Sequence, residues 1–487
     1  MRNGLNSQTL FFILGSLVIL LHCYTIDLFP LPWFDEVHFA GISKNLADEG
    51  NLKSHFLRFT KGNENSLSYG PVFFAIQSIF IKFFGFNIYS VRLTTLLFGF
   101  ANAIFVYILG CRITKSQFTS SLVSICFSLD LFYSTTLHEG RMETLITTLF
   151  LTALLVISSQ SLKNYWRVSI TSFLCVLSFS TSPRSFILII PLIAYLMYNS
   201  PKYHLNMLGI FFSIFIVTYS LWVFLAFDSV SHWFYHYLGV IKGNKTAVHG
   251  YLVGNFYIPM SQYVLISTVL ILMFVNRKVI KQPIVFLLLS VLLMFYALVH
   301  DWGNYSSLII PLSYLLLLFL LVNTPGRMKK ILFITPLLVF NLFYFSLKMS
   351  SSILEKEFRS IDLISLELAK VIPPNSNVIG DDMMIYIAED NQWNYQVFNH
   401  YKDLETRELS LRTKFDYEYL LVSKQFQLRY KGEVDYFIEQ GKLKLVKQLE
   451  FPVNPINSFL GKVHLSTMEQ NGYSYFLYRR LVSIKDI

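Results

Sequence analysis

The chain has 487 residues, of which 54% are hydrophobic and only 14% charged, and its formal net charge is +10 at pH 7. This composition is too apolar for an ordinary soluble enzyme and indicates an integral membrane protein. The four cysteines follow no paired ligand spacing, which argues against a structural zinc site and against a disulfide framework.

The first predicted element is an apolar segment at about 9–26, which has one arginine before it and no small-residue cleavage site after it, so we predict an uncleaved membrane span. The stretch PWFDEVHFA follows and carries Asp35 and Glu36. On a short helix Asp35 shares a face with His38, whereas Glu36 points about 100° away, so the two acids do not address the same atom. Asp35 then either caps this helix or faces a polar cavity, where it acts as a base or a metal ligand.

The next apolar segment, GPVFFAIQSIFIKFFG at 70–85, is short, begins near a proline and contains a glutamine and a lysine. A helix lying in the membrane interface fits it better than a span. Counting it as a span would also invert every later loop and break the charge bias. We therefore predict a long, structured first outer loop over about 27–89.

The remaining apolar segments approach the length that crosses a bilayer, roughly 17 to 25 residues, or form a shorter pair, and together with the first they predict about eleven crossings. With a cytoplasmic N-terminus, lysines and arginines concentrate in the inner loops, and the acids before residue 350 all lie at or near the outer face. The later segments are at 92–111, 117–136, 142–160, 168–182, 185–198, 206–226, 259–275, 284–300, 305–322 and 331–349.

The remainder, at about 350–487, has mixed charge and alternates strand-like stretches such as SNVIG and EYLLV with the helical pattern SIDLISLELAKVI. An odd number of crossings places it outside. The predicted fold is thus a polytopic α-helical membrane protein with a C-terminal extracytoplasmic α/β domain: a transmembrane catalytic domain at 1–349 and a soluble domain at 350–487. The soluble domain would act as a lid or recruit the acceptor.

Three stretches carry a resemblance to a known family: DEVHFAGISKNLADEGN after the first span, YGPVFFAIQSIFIKFFGFNIYSVRL before the second, and HEGRMETL in the next outer loop. They resemble the signature loops of GT-C glycosyltransferases, in the branch of the protein O-mannosyltransferases and lipid A aminoarabinose transferases. The likeness covers about residues 1–200 in motif and the rest in layout. It implies a GT-C-like enzyme, in a bacterial inner membrane, that transfers a sugar from a polyprenyl-phosphate donor to a glycan, lipid or protein acceptor on the outer face.

In an inverting transfer a carboxylate accepts the proton of the acceptor, so Asp35 and Glu36 are the expected catalytic residues. The departing polyprenyl phosphate keeps its negative charge and needs cations or a metal. Ordinary alternatives remain, since Arg92 and Arg184 could snorkel at span ends and Arg141 could pair with a neighbouring glutamate. The expected substrate-binding residues are Arg58, Lys61, Tyr69, Arg92, His138, Glu139, Arg141, Glu143, Arg184, Lys242, His249 and His300.

The histidines of the outer loops fit no compact metal motif, so a divalent metal is a secondary expectation, with Asp35, His138 and Glu139 as its candidate ligands. No other cofactor is expected, and the expected partners are the donor, the acceptor and the bilayer, with no nucleic acid. Two other classes stay open. A secondary transporter would show repeated halves and ionisable groups near the bilayer midplane, and a non-catalytic scaffold would need no carboxylates in its first loop.

Overall fold

The computed structural model describes residues 7–32, 34–53, 69–159, 161–199, 204–226, 231, 234, 260–298, 305–397, 417–429, 431–440, 442–452, 455–462 and 472–481. The statements below refer to these residues. Five of the predicted site residues lie outside them: Arg58, Lys61, Lys242, His249 and His300.

Apolar runs separated by polar caps form the helices of the N-terminal part. Asn87 caps the N-terminus of the helix Ile88–Thr114 with a reciprocal capping box. Asp130 caps the short helix Leu131–Leu137 by accepting a hydrogen bond from the Tyr133 backbone N–H. The helices are α1 (Ser7–Thr25), α2 (Phe34–Glu49), α3 (Val72–Phe84), α4 (Ile88–Thr114), α5 (Gln117–Ser128), α6 (Leu131–Leu137), α7 (Glu143–Ile157), α8 (Asn164–Phe179), α9 (Phe186–Asn199), α10 (His204–Ala226), α11 (Met260–Val275), α12 (Pro283–Leu298), α13 (Ile310–Val322) and α14 (Arg327–Leu354).

Three described helices are long and apolar enough to cross a membrane, namely Ile88–Thr114, Leu205–Phe224 and Met328–Leu354. A fourth span is formed if α5 and α6, which meet at a 65° bend, are counted as one. Shorter apolar helices of 10–17 residues coincide with most of the other predicted spans and with the predicted segment at 70–85, which is helical over Val72–Phe84. The predicted span at 168–182 lies in α8 (Asn164–Phe179), which is not one of these apolar helices. The figure of about eleven crossings stays a prediction.

The helical bundle is built around α4 and α13. Helix α4 packs against α3, α5, α7 and α13, and nearly every side chain of the leucine-rich α13 is buried. Several polar side chains inside the bundle pair with one another, because an unsatisfied group in an apolar interior is costly. Asn102 Nδ2 donates to the Tyr133 hydroxyl (2.8 Å) and to Thr144 O (3.1 Å).

The C-terminal part contains a mixed five-stranded sheet in the order β2-β1-β3-β5-β4. Strand β1 is parallel to β2 and β3, whereas β5 is antiparallel to β3 and β4. The predicted division at residue 350 falls inside α14, which continues to Leu354. The strands are β1 (Asn377–Gly380), β2 (Asn394–Val397), β3 (Tyr419–Ser423), β4 (Leu443–Leu449) and β5 (Tyr475–Arg480), and the helices are α15 (Lys356–Arg359), α16 (Ile361–Ala369), α17 (Ile385–Asp390), α18 (Lys424–Arg429), α19 (Lys431–Gln440) and α20 (Pro455–Lys462).

The C-terminal part packs against α2. Val37 and Ala40 of α2 belong to the same buried apolar cluster as Leu368 and Tyr386 of the C-terminal part. The fully buried Arg359 donates from Nη1 to Leu28 O in the turn after α1 (3.1 Å). These contacts fix α2, and therefore its two acids, between the bundle and the sheet.

Candidate active site at the end of the first span

Helix α2 presents adjacent acids to different partners, as the 100° between consecutive helical residues requires. Glu36 accepts from Arg92 on α4 through both carboxylate oxygens, at 2.7 Å from Nε and 2.9 Å from Nη2. Asp35 Oδ2 accepts from Arg141 Nη1 at 2.8 Å. The two acids therefore belong to two separate ion-pair clusters.

The Glu36 cluster is enclosed. Both side chains of the Glu36–Arg92 pair have no exposed area. Arg92 also donates to Ile26 O (2.8 Å) and Pro30 O (2.7 Å), which closes the turn between α1 and α2. The Tyr386 hydroxyl of the C-terminal part donates to Glu36 Oε1 at 3.4 Å. The sequence suggested catalysis for Glu36 and substrate binding for Arg92, but this geometry favours a structural role for both.

The Asp35 cluster is centred on Arg141. Its guanidinium donates to both oxygens of Glu143, from Nε at 3.1 Å and from Nη2 at 2.8 Å, and to Asp35 through Nη1. The side chain of Asp35 is 27% exposed, compared with 6% for Glu143 and 3% for Arg141. Among these three groups Asp35 is the one that an incoming molecule can reach.

A second guanidinium lies next to this cluster. Arg184, in the turn Pro183–Ser185 before α9, stacks on the Tyr305 ring at 4.0 Å, and Arg141 lies 5.3 Å from the same ring. Arg184 Nη1 donates to the Tyr69 hydroxyl at 3.2 Å. No described carboxylate forms an ion pair with Arg184. Its positive charge is thus available to an anion bound beside Asp35.

The loop between α6 and α7 is packed closely enough to require glycine. A Cβ on Gly140 would lie 2.4 Å from Val91 Cγ1 and 3.4 Å from Glu36 Cγ. The loop places Glu139 between the two clusters, where burial raises the pKa of its carboxyl to about 8, although Arg141 opposes the shift. Glu139 is therefore largely protonated at neutral pH.

His138 has partners of a different kind. Its Nε2 lies 2.8 Å from Nδ1 of His22, and its Nδ1 lies 2.8 Å from Phe29 O. Among the described residues no group of three or more His, Cys, Asp or Glu side chains is placed to hold a metal ion. The metal ligands expected from the sequence, Asp35, His138 and Glu139, accordingly form no such group in the structure.

The structure thus brings Tyr69, Asp35, Arg141, Glu143 and Arg184 together around the Tyr305 ring. Sequence reasoning missed Tyr305, which lies five residues after the predicted site residue His300. It also missed Lys348, a lysine near the end of α14 that is 2% exposed, with Nζ 5.3 Å from the Phe29 ring. A lysine within an apolar segment is a candidate functional residue, and this was the sequence feature that could have identified Lys348.

Comparisons with known proteins give one family match and several fold matches. Residues 68–225 match the family model described as dolichyl-phosphate-mannose-protein mannosyltransferase. A search of curated proteins found no match. Among solved structures, ArnT from Cupriavidus metallidurans in the apo state matches with a TM-score of 0.57 and 9% identity, over 96% of this chain and 97% of that one.

Two further structures match over similar lengths. ArnT from the same organism bound to undecaprenyl phosphate has a TM-score of 0.55 and 10% identity, over 96% of this chain and 97% of that one. The Archaeoglobus fulgidus oligosaccharyltransferase tethered to an acceptor peptide with the NVT sequon has a TM-score of 0.53 and 8% identity, over 96% and 88% of the two chains.

These matches confirm the fold class predicted from the sequence. The chain is an integral membrane protein with the GT-C fold, a helical bundle followed by a small C-terminal sheet. The sequence identities are low, so the similarity to these structures concerns the fold. The chemistry depends on the side chains of the site.

Proposed function

We propose that the chain is a membrane glycosyltransferase that moves a sugar from a polyprenyl-phosphate donor to an envelope acceptor by inverting transfer. One observation carries the proposal. A partly exposed carboxylate, Asp35, is held near the start of α2 by Arg141, and Arg184, which has no carboxylate partner among the described residues, contacts the same Tyr305 ring as Arg141. A base beside an available cation suits this reaction.

Asp35 accepts the proton of the acceptor. As the acceptor oxygen or nitrogen forms a bond to the anomeric carbon, the bond from that carbon to the phosphate oxygen breaks on the opposite face of the sugar, and the acceptor proton passes to the Asp35 carboxylate. Arg141 fixes the direction of this carboxylate through Oδ2, and Glu143 fixes Arg141 in turn. Arg141 and Glu143 are therefore positioning residues in this mechanism.

Arg184 binds the departing phosphate. Its guanidinium is delocalised and planar, so it can stack on Tyr305 and still donate from its edge to phosphate oxygens. The Tyr69 hydroxyl, which accepts from Arg184, keeps the guanidinium in place. This arrangement stabilises negative charge where it remains after transfer.

The donor class has support from outside the site. One ArnT structure of the same fold is bound to undecaprenyl phosphate, and the model matching residues 68–225 describes a dolichyl-phosphate-mannose-protein mannosyltransferase. The acceptor belongs to the class of glycans, lipids or proteins outside a bacterial inner membrane, with the C-terminal part on that side. The concentration of basic residues in the predicted inner loops supports this orientation.

The test uses the purified full chain in lipid nanodiscs with radiolabelled polyprenyl-phosphate sugars and envelope acceptors. Asp35→Asn is expected to lower transfer by at least about 100-fold, because the general base is lost. Its matched control is Asp48→Asn on the same helix, since Asp48 is 52% exposed and pairs only with Lys44 among the described residues.

Arg184→Gln separates the second role. Arg184→Gln should weaken donor binding and slow transfer. It should leave the Asp35–Arg141–Glu143 cluster folded, which an unchanged thermal unfolding temperature would show. Full transfer activity in Asp35→Asn, at normal protein level, would refute the assignment of the base. Failure of every polyprenyl-phosphate sugar to donate label to any acceptor would refute the proposed function.

A further inference from the structure

A cavity of about 100 Å³ lies between α1, α4 and the α5–α6 bend, apart from the Asp35 cluster. It opens toward the lipid-facing side of the bundle, where Phe12 is 60% exposed and Ile104 47% exposed. At its end nearest the candidate active site it is bounded by His22, in the last turn of α1. The rest of its wall includes Gly15, Val18, Phe100, Ala103, Phe127 and Leu137.

The hydrogen-bond pattern defines the state of His22. Phe29 O only accepts, so the His138 Nδ1 at 2.8 Å carries a proton. In a neutral ring the His138 Nε2 is then an acceptor, and the His22 Nδ1 at 2.8 Å donates to it. Both rings are fully buried, and a charge without a counter-ion is costly there. His22 Nε2 is consequently a bare acceptor.

This nitrogen has no hydrogen-bond partner among the described residues. Buried polar atoms are nearly always satisfied, so an orphaned acceptor in a cavity wall indicates a ligand that donates. A water molecule needs two to four polar partners. The cavity wall also contains the hydroxyl groups of Ser16, Ser128 and Tyr133, of which Ser128 donates to Ser124 O. A water molecule is therefore the alternative occupant, and it would give no preference between lipid chains. An unsubstituted alkyl chain would leave the nitrogen unsatisfied.

We propose that this cavity binds the hydrocarbon chain of a membrane lipid that carries a hydroxyl group near its head-group end. The hydroxyl donates to His22 Nε2, and the chain runs along α1 past Gly15 toward Phe12. The depth of His22 sets the position of the hydroxyl, since the last turn of α1 lies beside the loop that holds Asp35. This lipid site is separate from the site proposed for the donor phosphate, and the proposal does not depend on that site.

The probes are two photoactivatable acyl chains of equal length, one with a β-hydroxyl group and one without. The full chain in nanodiscs is irradiated with each, and mass spectrometry locates the labelled peptides. The wild type is expected to label at α1 and α4 with a roughly five-fold preference for the hydroxylated chain, which corresponds to one net hydrogen bond. His22→Phe keeps a ring against Phe100 and Phe345 but removes the acceptor, so it should abolish the preference.

A second variant fills the cavity without touching the histidine. Gly15 lines the cavity and an added Cβ there meets nothing within 4 Å, so we expect the indole ring of Gly15→Trp to occupy the cavity and to remove labelling by both chains. Gly209→Trp on α10, where nothing lies within 4 Å either, is the matched control and should label like the wild type. Equal labelling of the wild type by both chains, or labelling that survives Gly15→Trp, would overturn the proposal.

Discussion

Arg92 shows how one buried side chain can organise a whole loop. Its guanidinium donates to both carboxylate oxygens of Glu36 and to the carbonyl groups of Ile26 and Pro30, so it joins α2 to the turn after α1. A buried ion pair of this kind is weak evidence for net stability, but removal of one partner leaves an uncompensated buried charge. Arg92 is therefore difficult to replace.

We expect Arg92→Gln to destabilise the protein by about 3–5 kcal/mol, and Glu36→Gln by a similar amount. Arg92→Lys should not restore stability, because a single ammonium group cannot reproduce the planar fork of donors. Thermal unfolding of the detergent-solubilised chain measures the effect. Arg112→Gln at the other end of the same helix is the control, since Arg112 is exposed and, among the described residues, donates to Leu155 O alone. An unfolding temperature of Arg92→Gln equal to the control would contradict the structural role.

Glu139 gives a prediction about pH. Burial raises the pKa of this carboxyl from 4.5 to about 8 in the folded protein. The folded state then binds more protons than the unfolded state between these two values, so this residue lowers the stability progressively as pH rises from about 4.5 to about 8. Glu139→Gln is neutral throughout and should remove that decline. Thermal unfolding across this pH range measures it, and a wild-type slope that is unchanged in Glu139→Gln would show that another group is responsible.

At the scale of secondary-structure elements, the start of α3 depends on a glycine. A Cβ on Gly70 would lie 1.6 Å from the backbone oxygen of Ser180 at the end of α8, and a backbone atom cannot move aside cheaply. The neighbouring Tyr69 bonds to Arg184, which follows α8 closely in the chain. Close approach of these two elements therefore sets the position of the cation proposed to bind phosphate.

We expect Gly70→Ala to separate α3 from α8, at a cost of about 1–3 kcal/mol, and to lower transfer activity more than tenfold by displacing Arg184. Gly209→Ala is the control, because an added Cβ there meets nothing and alanine favours a helix more than glycine does. Transfer assays and thermal unfolding are the two measurements. A Gly70→Ala enzyme with wild-type kinetics would mean that Arg184 does not depend on this contact.

The elements themselves could be predicted because hydrophobic segments and charge bias are local properties of the chain. The helices near 92–111 and 206–226, and the helix within 70–85, follow from such patterns. The ion-pair partners of the two acids could not be predicted, because they are distant in the sequence. Glu36 and Arg92 are 56 residues apart, and Asp35 and Arg141 are 106 residues apart. Tyr305 escaped notice for the same reason, since only the packed bundle brings its ring between two arginines.

At the scale of the whole molecule, the C-terminal part forms a continuous interface with α2 and with the residues just before α4. The Tyr386 ring packs on Phe86 with centroids 5.5 Å apart, and Lys44 on α2 pairs with Glu389 at 2.7 Å. Tyr386 also reaches the Glu36 carboxylate through its hydroxyl. Since both sides contribute buried apolar side chains, we expect the sheet to stabilise the loop that carries Asp35, rather than to follow it as an independent unit.

Two substitutions at Tyr386 separate packing from hydrogen bonding in this interface. Tyr386→Phe removes only a long hydrogen bond of 3.4 Å and should cost about 0.5–1.5 kcal/mol, whereas Tyr386→Ala removes a fully buried ring and should cost about 3–5 kcal/mol. We expect Tyr386→Ala to make α2 and the sheet more accessible to proteolysis and to lower transfer activity, because the loop that holds Asp35 loses its support. Leu428→Ala, on the exposed side of α18, is the control, since Leu428 is 68% exposed. If Tyr386→Phe were as damaging as Tyr386→Ala, the hydroxyl contact to Glu36 would be the dominant link between the two parts.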